Sequence, residues 1–328
     1  MSPILGLIDS AKSGNLNPVA RFIAYWSGAT NGKQVSWSTD GSTWNAVDTG
    51  VITAANAGGG TTGVQKMSNG TYVFVAGNSN TTTSTIVATT TDFITFTGRS
   101  VSGTYGYLDR ATGNGTTLVL AGGAGGYASA PVVKTSTDTI TYTDNASAVA
   151  ALPSTGVMNV YCGGYGNGYG FLANGEGRII YSSNMTSWTL NANAFSSTPN
   201  AMMYDTYHSK YYWVGNGGVI ESQTAVNGSF TACTGQSGEQ ARAIASDSAG
   251  RIVVTQNNAK VANSTNGTTF STSSTGSAEY YMLGIAYNSG TWIISGGNGV
   301  TLSSTNGTTW TSRTSGITGG YGYTATWK

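Results

Sequence analysis

The chain has 328 residues, of which only 8% are charged, and a formal net charge of +1 at pH 7. So little charge excludes an electrostatic grip on nucleic acid or on an anionic membrane as its means of association. The 48 glycines and 19 tyrosines suit tight turns between short strands with aromatic side chains, and give helices little support. Two cysteines, Cys162 and Cys233, are too few and too far apart for a disulfide framework or a zinc site. Both are expected as buried free thiols, and no metal or other cofactor is expected. No run reaches the roughly 18 apolar residues of a membrane helix, and residues 1–18 lack the basic start and long apolar core of a secretory signal. The expectation is a soluble chain without membrane insertion, cytoplasmic during synthesis.

In chain order, residues 1–20 come first and match none of the strands that follow. Ile4, Leu5, Leu7 and Ile8 make them an apolar strip, which either docks on a partner as an arm or packs as a spare strand on the rim of the protein itself. From Arg21 onward one phrase returns seven times: a Ser or Thr, then Asp or Asn in a turn, then an aromatic. The copies pair Asp40 with Trp44, Asp92 with Phe96, Asp138 with Tyr142, Asn184 with Trp188, Asn266 with Phe270 and Asn306 with Trp310. A degenerate fifth copy has a longer turn and ends at Phe230. Successive aromatics lie 40 to 52 residues apart, the period of a four-stranded sheet repeated around an axis. This predicts an all-β fold, a seven-bladed β-propeller of four-stranded antiparallel blades spanning 21–328 as one domain behind the arm at 1–20.

The last repeat gives the pattern of one blade: strands at 282–287, 291–295, 300–304 and 308–312, with Asn306 and Gly307 both tolerant of positive φ in a hairpin turn. The first repeat shows a second, third and fourth strand at 22–26, 34–38 and 43–47, and no first strand. A surplus first strand stands at 323–327. Pairing the two chain ends in one blade fills that gap and removes the open edges of an unclosed ring.

Within each repeat the Asx side chain accepts backbone amides, glycine supplies positive φ and the aromatic wedges against the neighbouring sheet. These residues are read as structural. The functional surface is placed at the funnel mouth, on loops leading into the first strands, at Tyr105, Tyr107, Asp109, Arg110, Arg242, Tyr280, Tyr281, Tyr321 and Tyr323. Tyrosines with a few polar partners on a rigid ring suit sugar stacking or protein contact; the alternative is that half of them pack between blades. The single histidine, His208, is read as a solvated turn residue.

The phrase Ser38-Thr39-Asp40-Gly41-Ser42-Thr43-Trp44 resembles, in slightly shortened form, the Asp box Ser-x-Asp-x-Gly-x-Thr-Trp. Proteins that carry it are mostly β-propellers, including sialidases, related glycosidases and the photosystem II assembly factor family. The resemblance implies the propeller and leaves function open. Sialidases clamp a carboxylate with three arginines, use a Tyr–Glu pair and an Asp, and carry Phe/Tyr-Arg-Ile-Pro near the start. Arg21-Phe22-Ile23 lacks that order and the proline, and nothing marks a clamp among the seven arginines. With the turn aspartates set aside, few carboxylates remain for glycosidic cleavage, so no catalytic residue is expected.

Residues 1–14 resemble the Pro-Ile-Leu-Gly-Ile-Ile-Ala-Ser opening of many tailed-bacteriophage virion proteins, with Leu7 and Asp9 departing from it. That resemblance implies a non-enzymatic structural protein of tail or head, located in the virion after assembly in the host cytoplasm. It would be held to other virion proteins in a symmetric assembly through the arm, and would contact a host-surface glycan or a neighbouring virion protein. A cellular lectin or assembly-factor-like binding propeller stands second, and a glycosidase of sialidase-like fold third.

Overall fold

Short runs of β-branched and aromatic residues broken by Gly, Asn and Asp leave each strand too brief to bury itself except against the next sheet of the ring. In the computed structural model the described residues are 21–51, 64–76, 86–101, 107–124, 130–152 and 159–326. They form seven four-stranded antiparallel sheets, a β-propeller. The seventh blade runs from its innermost strand outward as Met282–Asn288, Thr291–Gly296, Val300–Ser304 and Thr311–Thr314. The arm, with Ile4, Leu5, Leu7 and Ile8, lies outside the described residues.

Ring closure joins the two ends of the chain. Gly319–Thr326 is the innermost strand of the first blade and pairs antiparallel with Phe22–Ala29, Phe22 opposite Thr326 and Ala29 opposite Gly319. Val35–Ser38 and Asn45–Val47 complete that sheet. The closing strand starts at Gly319, four residues before the expected 323. Its glycines disguise it, since glycine is a poor strand former. The site nevertheless requires them: a Cβ on Gly322 would stand 2.5 Å from the Trp26 ring, so backbone and indole touch directly.

Fourth strands begin later than expected, at Thr311 rather than 308 and at Asn45 rather than Thr43. The reason is local. Thr308 and Thr309 give their amides to Asn306 Oδ1, both at 2.9 Å, and so are withdrawn from the ladder. Gly307 has φ +71°, whereas Asn306 does not adopt a positive φ; Asn306 shapes the turn with its side chain.

The core is a set of interblade layers. One joins Tyr25 and Ile23 of the first blade to Phe74, Ala88 and Phe93 of the second. Trp26, Trp213 and Trp292, all on second strands, are fully buried, and each such ring removes about 150–250 Å² from water. Cys162 and Cys233 are free and buried, and burial pushes their thiols up to about 12 and about 11. One α-helix, Ala146–Ala151, was not foreseen. Six residues are too few to display a helical period; it persists because Asn145 Oδ1 accepts the Ala148 amide at 2.9 Å and buries Ala148. Among the described residues no helix is long and apolar enough to cross a membrane.

Antiparallel order sets two faces. The turns from first to second and from third to fourth strand lie on one, the box face. The loops into first strands and the second-to-third turns lie on the other, the funnel face.

Candidate functional site

The funnel face is built by bulges. In the fourth to seventh blades the innermost strands are Val160–Gly166, Pro199–Asp205, Ala241–Ser246 and Met282–Asn288. Each ladder skips the second residue: Tyr161, Asn200, Arg242 and Leu283. A bulged residue leaves the pairing and its side chain is re-aimed. Two of the four are polar, and both reach across to neighbours at the mouth.

Asn200 Nδ2 donates to Asn216 Oδ1 at 3.1 Å and to the Ala241 carbonyl of the next blade at 2.7 Å. Gln240 Nε2 donates to the same Asn216 oxygen. Arg242 Nε donates to Asn257 Oδ1 at 2.9 Å, and Asn257 Nδ2 donates to Gln240 Oε1 at 3.2 Å. The arc thus passes from the fifth blade to the sixth without a break. It ends in aromatic rings. The Arg242 guanidinium stands 5.7 Å from the centre of Tyr281, a cation–π distance, and Tyr281 meets Tyr280 at 4.7 Å and Tyr321 at 5.8 Å, both edge-on. Tyr280 and Tyr321 are each 45% exposed. Burial pushes the Arg242 guanidinium down, opposed by the phenols of Tyr323, Tyr281 and Tyr280.

The expected site residues divide. Arg242, Tyr280, Tyr281 and Tyr321 come together at the mouth. Tyr323 lies deeper: its ring is buried in the layer that holds Ile23, Tyr25 and Leu283, while its phenol still acts on the Arg242 guanidinium. Arg110 is also buried, with Nε donating to the Tyr161 carbonyl at 2.6 Å. Tyr105 lies outside the described residues, and so do the side chains of Tyr107 and Asp109. Asn200, Asn216, Gln240 and Asn257 were missed. The available signal was positional, since Asn200 and Arg242 occupy the same place in successive repeats.

His208 is not a solvated turn residue. Its Nδ1 lies 2.6 Å from Asp205 Oδ2, a buried carboxylate, and its ring packs on Gly267 of the next blade's turn. Among the described residues no group of three or more His, Cys, Asp or Glu side chains is placed to hold a metal ion.

On the box face one geometry recurs. Ser38 Oγ accepts the Gly41 amide at 2.8 Å and donates to Asp40 Oδ1 at 3.1 Å; that oxygen accepts the amides of Ser42 at 2.7 Å and Thr43 at 2.9 Å. The Asx oxygens of Asp92, Asp138, Asn184, Asn266 and Asn306 accept the corresponding amides. Carboxylate and amide oxygens both accept, so Asp and Asn interchange. Phe93, Thr139 and Met185 stand where the other boxes have glycine, at φ +57°, +61° and +64°. That backbone costs about 1–2 kcal/mol; burying Phe93 and Met185 in the neighbouring sheets offsets it. Phe230, in the degenerate fifth copy with the longer turn, packs on Phe195 and Trp213.

No protein-family model and no curated protein sequence matches the chain. Solved structures do. YCF48 bound to D1 peptide matches with a TM-score of 0.56 at 14% identity, over 77% of this chain and 81% of that one. The WD40 β-propeller domain of Doa1 matches with 0.57 at 12%, over 78% and 82%. A Bacteroides fragilis protein provisionally described as a 6-phosphogluconolactonase matches with 0.67 at 10%, over 94% and 99%. At such identities the likeness is one of fold.

Proposed function

We propose that this chain is a binding propeller, not an enzyme, whose funnel face recognises an extended segment of a protein partner. The observation that carries the reading is the half-exposed run of Tyr280, Tyr281 and Tyr321 beside Arg242, held on the amide arc of Asn200, Asn216, Gln240 and Asn257. Tyr and Arg are the residues in which binding energy concentrates, and an arc whose side chains already satisfy one another loses little entropy on binding. The similarity to a propeller solved with a bound peptide supports the choice of ligand.

The setting we propose is a tailed-phage virion. There the arm at 1–20 would fix the propeller to tail or head, and the partner would be a neighbouring virion protein. A host-surface glycan is the second reading, favoured by the exposed tyrosine rings, which suit sugar stacking as well. The resemblance of residues 1–14 to virion-protein openings is the support for this setting.

Selection of peptides on the full chain from a random library tests the reading. Enriched peptides are expected to lose about tenfold or more in affinity to Tyr280→Ala or Tyr321→Ala and nothing to Asp138→Ala on the opposite face. Peptides indifferent to the tyrosines would remove it, and so would turnover of a chromogenic glycoside or lactone. Deleting residues 1–17 is expected to leave the melt unchanged and abolish incorporation into particles.

A further inference from the structure

The box face holds a cleft of about 410 Å³ where the last blade meets the first. Asp40 lies on one wall and Arg313 on the other, and seven of the lining side chains are Ser or Thr hydroxyls, among them Ser42, Thr291 and Ser303. One difference from the next junction bears on the space here. One junction further round the ring, Trp37 occupies the third-strand position that Ser303 holds, and its ring packs 6.1 Å from Phe93 of the next box. With Ser303 in place of an indole, the space beside Ser303 and Arg313 stays open up to the turn at Gly41. That turn is otherwise tightly seated: Gly41 has φ +77°, and a Cβ there would stand 2.8 Å from the Ile293 side chain.

The two charged groups are held in place. Arg313 Nε donates to Ser303 Oγ at 2.7 Å, which leaves the end of the guanidinium, with its paired N–H groups, for a ligand. Asp40 Oδ1 is occupied by Ser38, Ser42 and Thr43, which leaves Oδ2 as an acceptor. A compact dianion such as phosphate would meet the Asp40 carboxylate, and an apolar ligand would strand the hydroxyls without partners. A sugar carrying one carboxylate per ring satisfies all three features: the carboxylate of one ring pairs end-on with Arg313, a hydroxyl of that ring donates to Asp40, and other hydroxyls exchange bonds with the Ser and Thr side chains. We infer that this cleft binds a hexuronate saccharide of one or two units. The inference is independent of the funnel-face reading. It also has a mechanical consequence, because Asp40 belongs to the N-terminal strands of the first blade and Arg313 to the segment that leads into the closing strand. A ligand that holds both clamps the ring shut.

Isothermal titration of the full chain with digalacturonate tests this, with neutral galactobiose and the zwitterion glycylglycine as comparison ligands. The expected result is saturable digalacturonate binding at about 1 mM or tighter and a raised melting temperature, with both comparison ligands at least about tenfold weaker. Arg313→Gln should weaken digalacturonate about tenfold or more. Ser303→Trp, which restores the residue found at the neighbouring junction, should abolish binding while the cooperative melt persists. The site assignment falls if digalacturonate shows no saturation by about 20 mM, or binds Ser303→Trp as it binds the unaltered chain. Equal affinity for galactobiose or glycylglycine would overturn the ligand class.

Discussion

The two faces of this propeller are made by opposite means. On the box face the Asx bonding is local: the Asx oxygens of six copies accept amides two and three residues ahead. On the funnel face the bonds run between distant parts of the chain, as from Asn200 to Ala241, 41 residues on, and from Gln240 to Asn216. A locally closed turn can be copied from blade to blade with Asp and Asn exchanged freely. The long-range arc uses equivalent positions of the fifth and sixth blades with different side chains, Asn200 and Arg242, and so can be specific for one partner.

The largest expected effect tests what both faces depend on. Removing residues 319–328 deletes the innermost strand of the first blade and bares the edge of Phe22–Ala29. The cooperative melt should disappear and the chain should aggregate, since such an edge recruits other chains. A truncated chain that melts like the full one would break the shared-blade account of closure and leave the faces independent.

Within the box face, aromatics should outweigh the Asx residues. Trp188 is buried, packs with Leu172 and Ile180 and donates Nε1 to the Met185 carbonyl at 3.3 Å; Trp188→Ala is expected to cost about 3–5 kcal/mol. Asn184→Ala removes the acceptor of two amides in an exposed turn and should cost about 1 kcal/mol. Chemical denaturation of both variants gives the order. The reverse order would make the turn, not the wedge, the organising element of the repeat.

These local features were also the legible ones. Serine, Asx and aromatic act on one another within a few residues, so the box, the blade count and the closing pair of strands are visible in the sequence. The bulges that aim Asn200 and Arg242 are not, because a bulge is a fact of register against a second strand. Tyr323 and Arg110 show the same limit from the other side: adjacent to the mouth in sequence, they fall on positions that face between blades. His208 was misread because its ring is covered by Gly267 of the sixth blade.

Acid should separate the boxes into two groups. The amides of Thr141 and Ile140 pull the Asp138 carboxyl from 3.8 down to about 2, and the amides of Thr43 and Ser42 lower Asp40 likewise. The folded value lies below the unfolded one, so this stabilisation is complete above about pH 4 and is lost as pH falls through 2. Asn184, Asn266 and Asn306 do not titrate. Between pH 5 and pH 2 the melting temperature should therefore fall further for the native chain than for one carrying Asp40→Asn, Asp92→Asn and Asp138→Asn. Equal falls would place the acid sensitivity elsewhere.

The smallest effect on stability should come from the funnel face, and that smallness is informative. Tyr280 and Tyr321 keep nearly half their surface in water and meet Tyr281 edge-on, and the Tyr280 hydroxyl accepts only a long bond from Asn257 at 3.5 Å, so truncating either removes peripheral contacts but opens no cavity. Each alanine variant should change unfolding free energy by no more than about 0.5 kcal/mol, while lowering affinity for a selected peptide about tenfold, or about 1.4 kcal/mol. Tyr323→Ala should behave in the opposite way, destabilising the fold because it empties a space beside Tyr25, Leu283 and Phe74. Two tyrosines two residues apart on the closing strand would then differ in kind, Tyr321 serving the partner and Tyr323 the core. Should Tyr321→Ala instead destabilise the fold as Tyr323→Ala does, the exposed rings would be part of the packing that closes the ring, and the division between the two faces would fail where the chain ends meet.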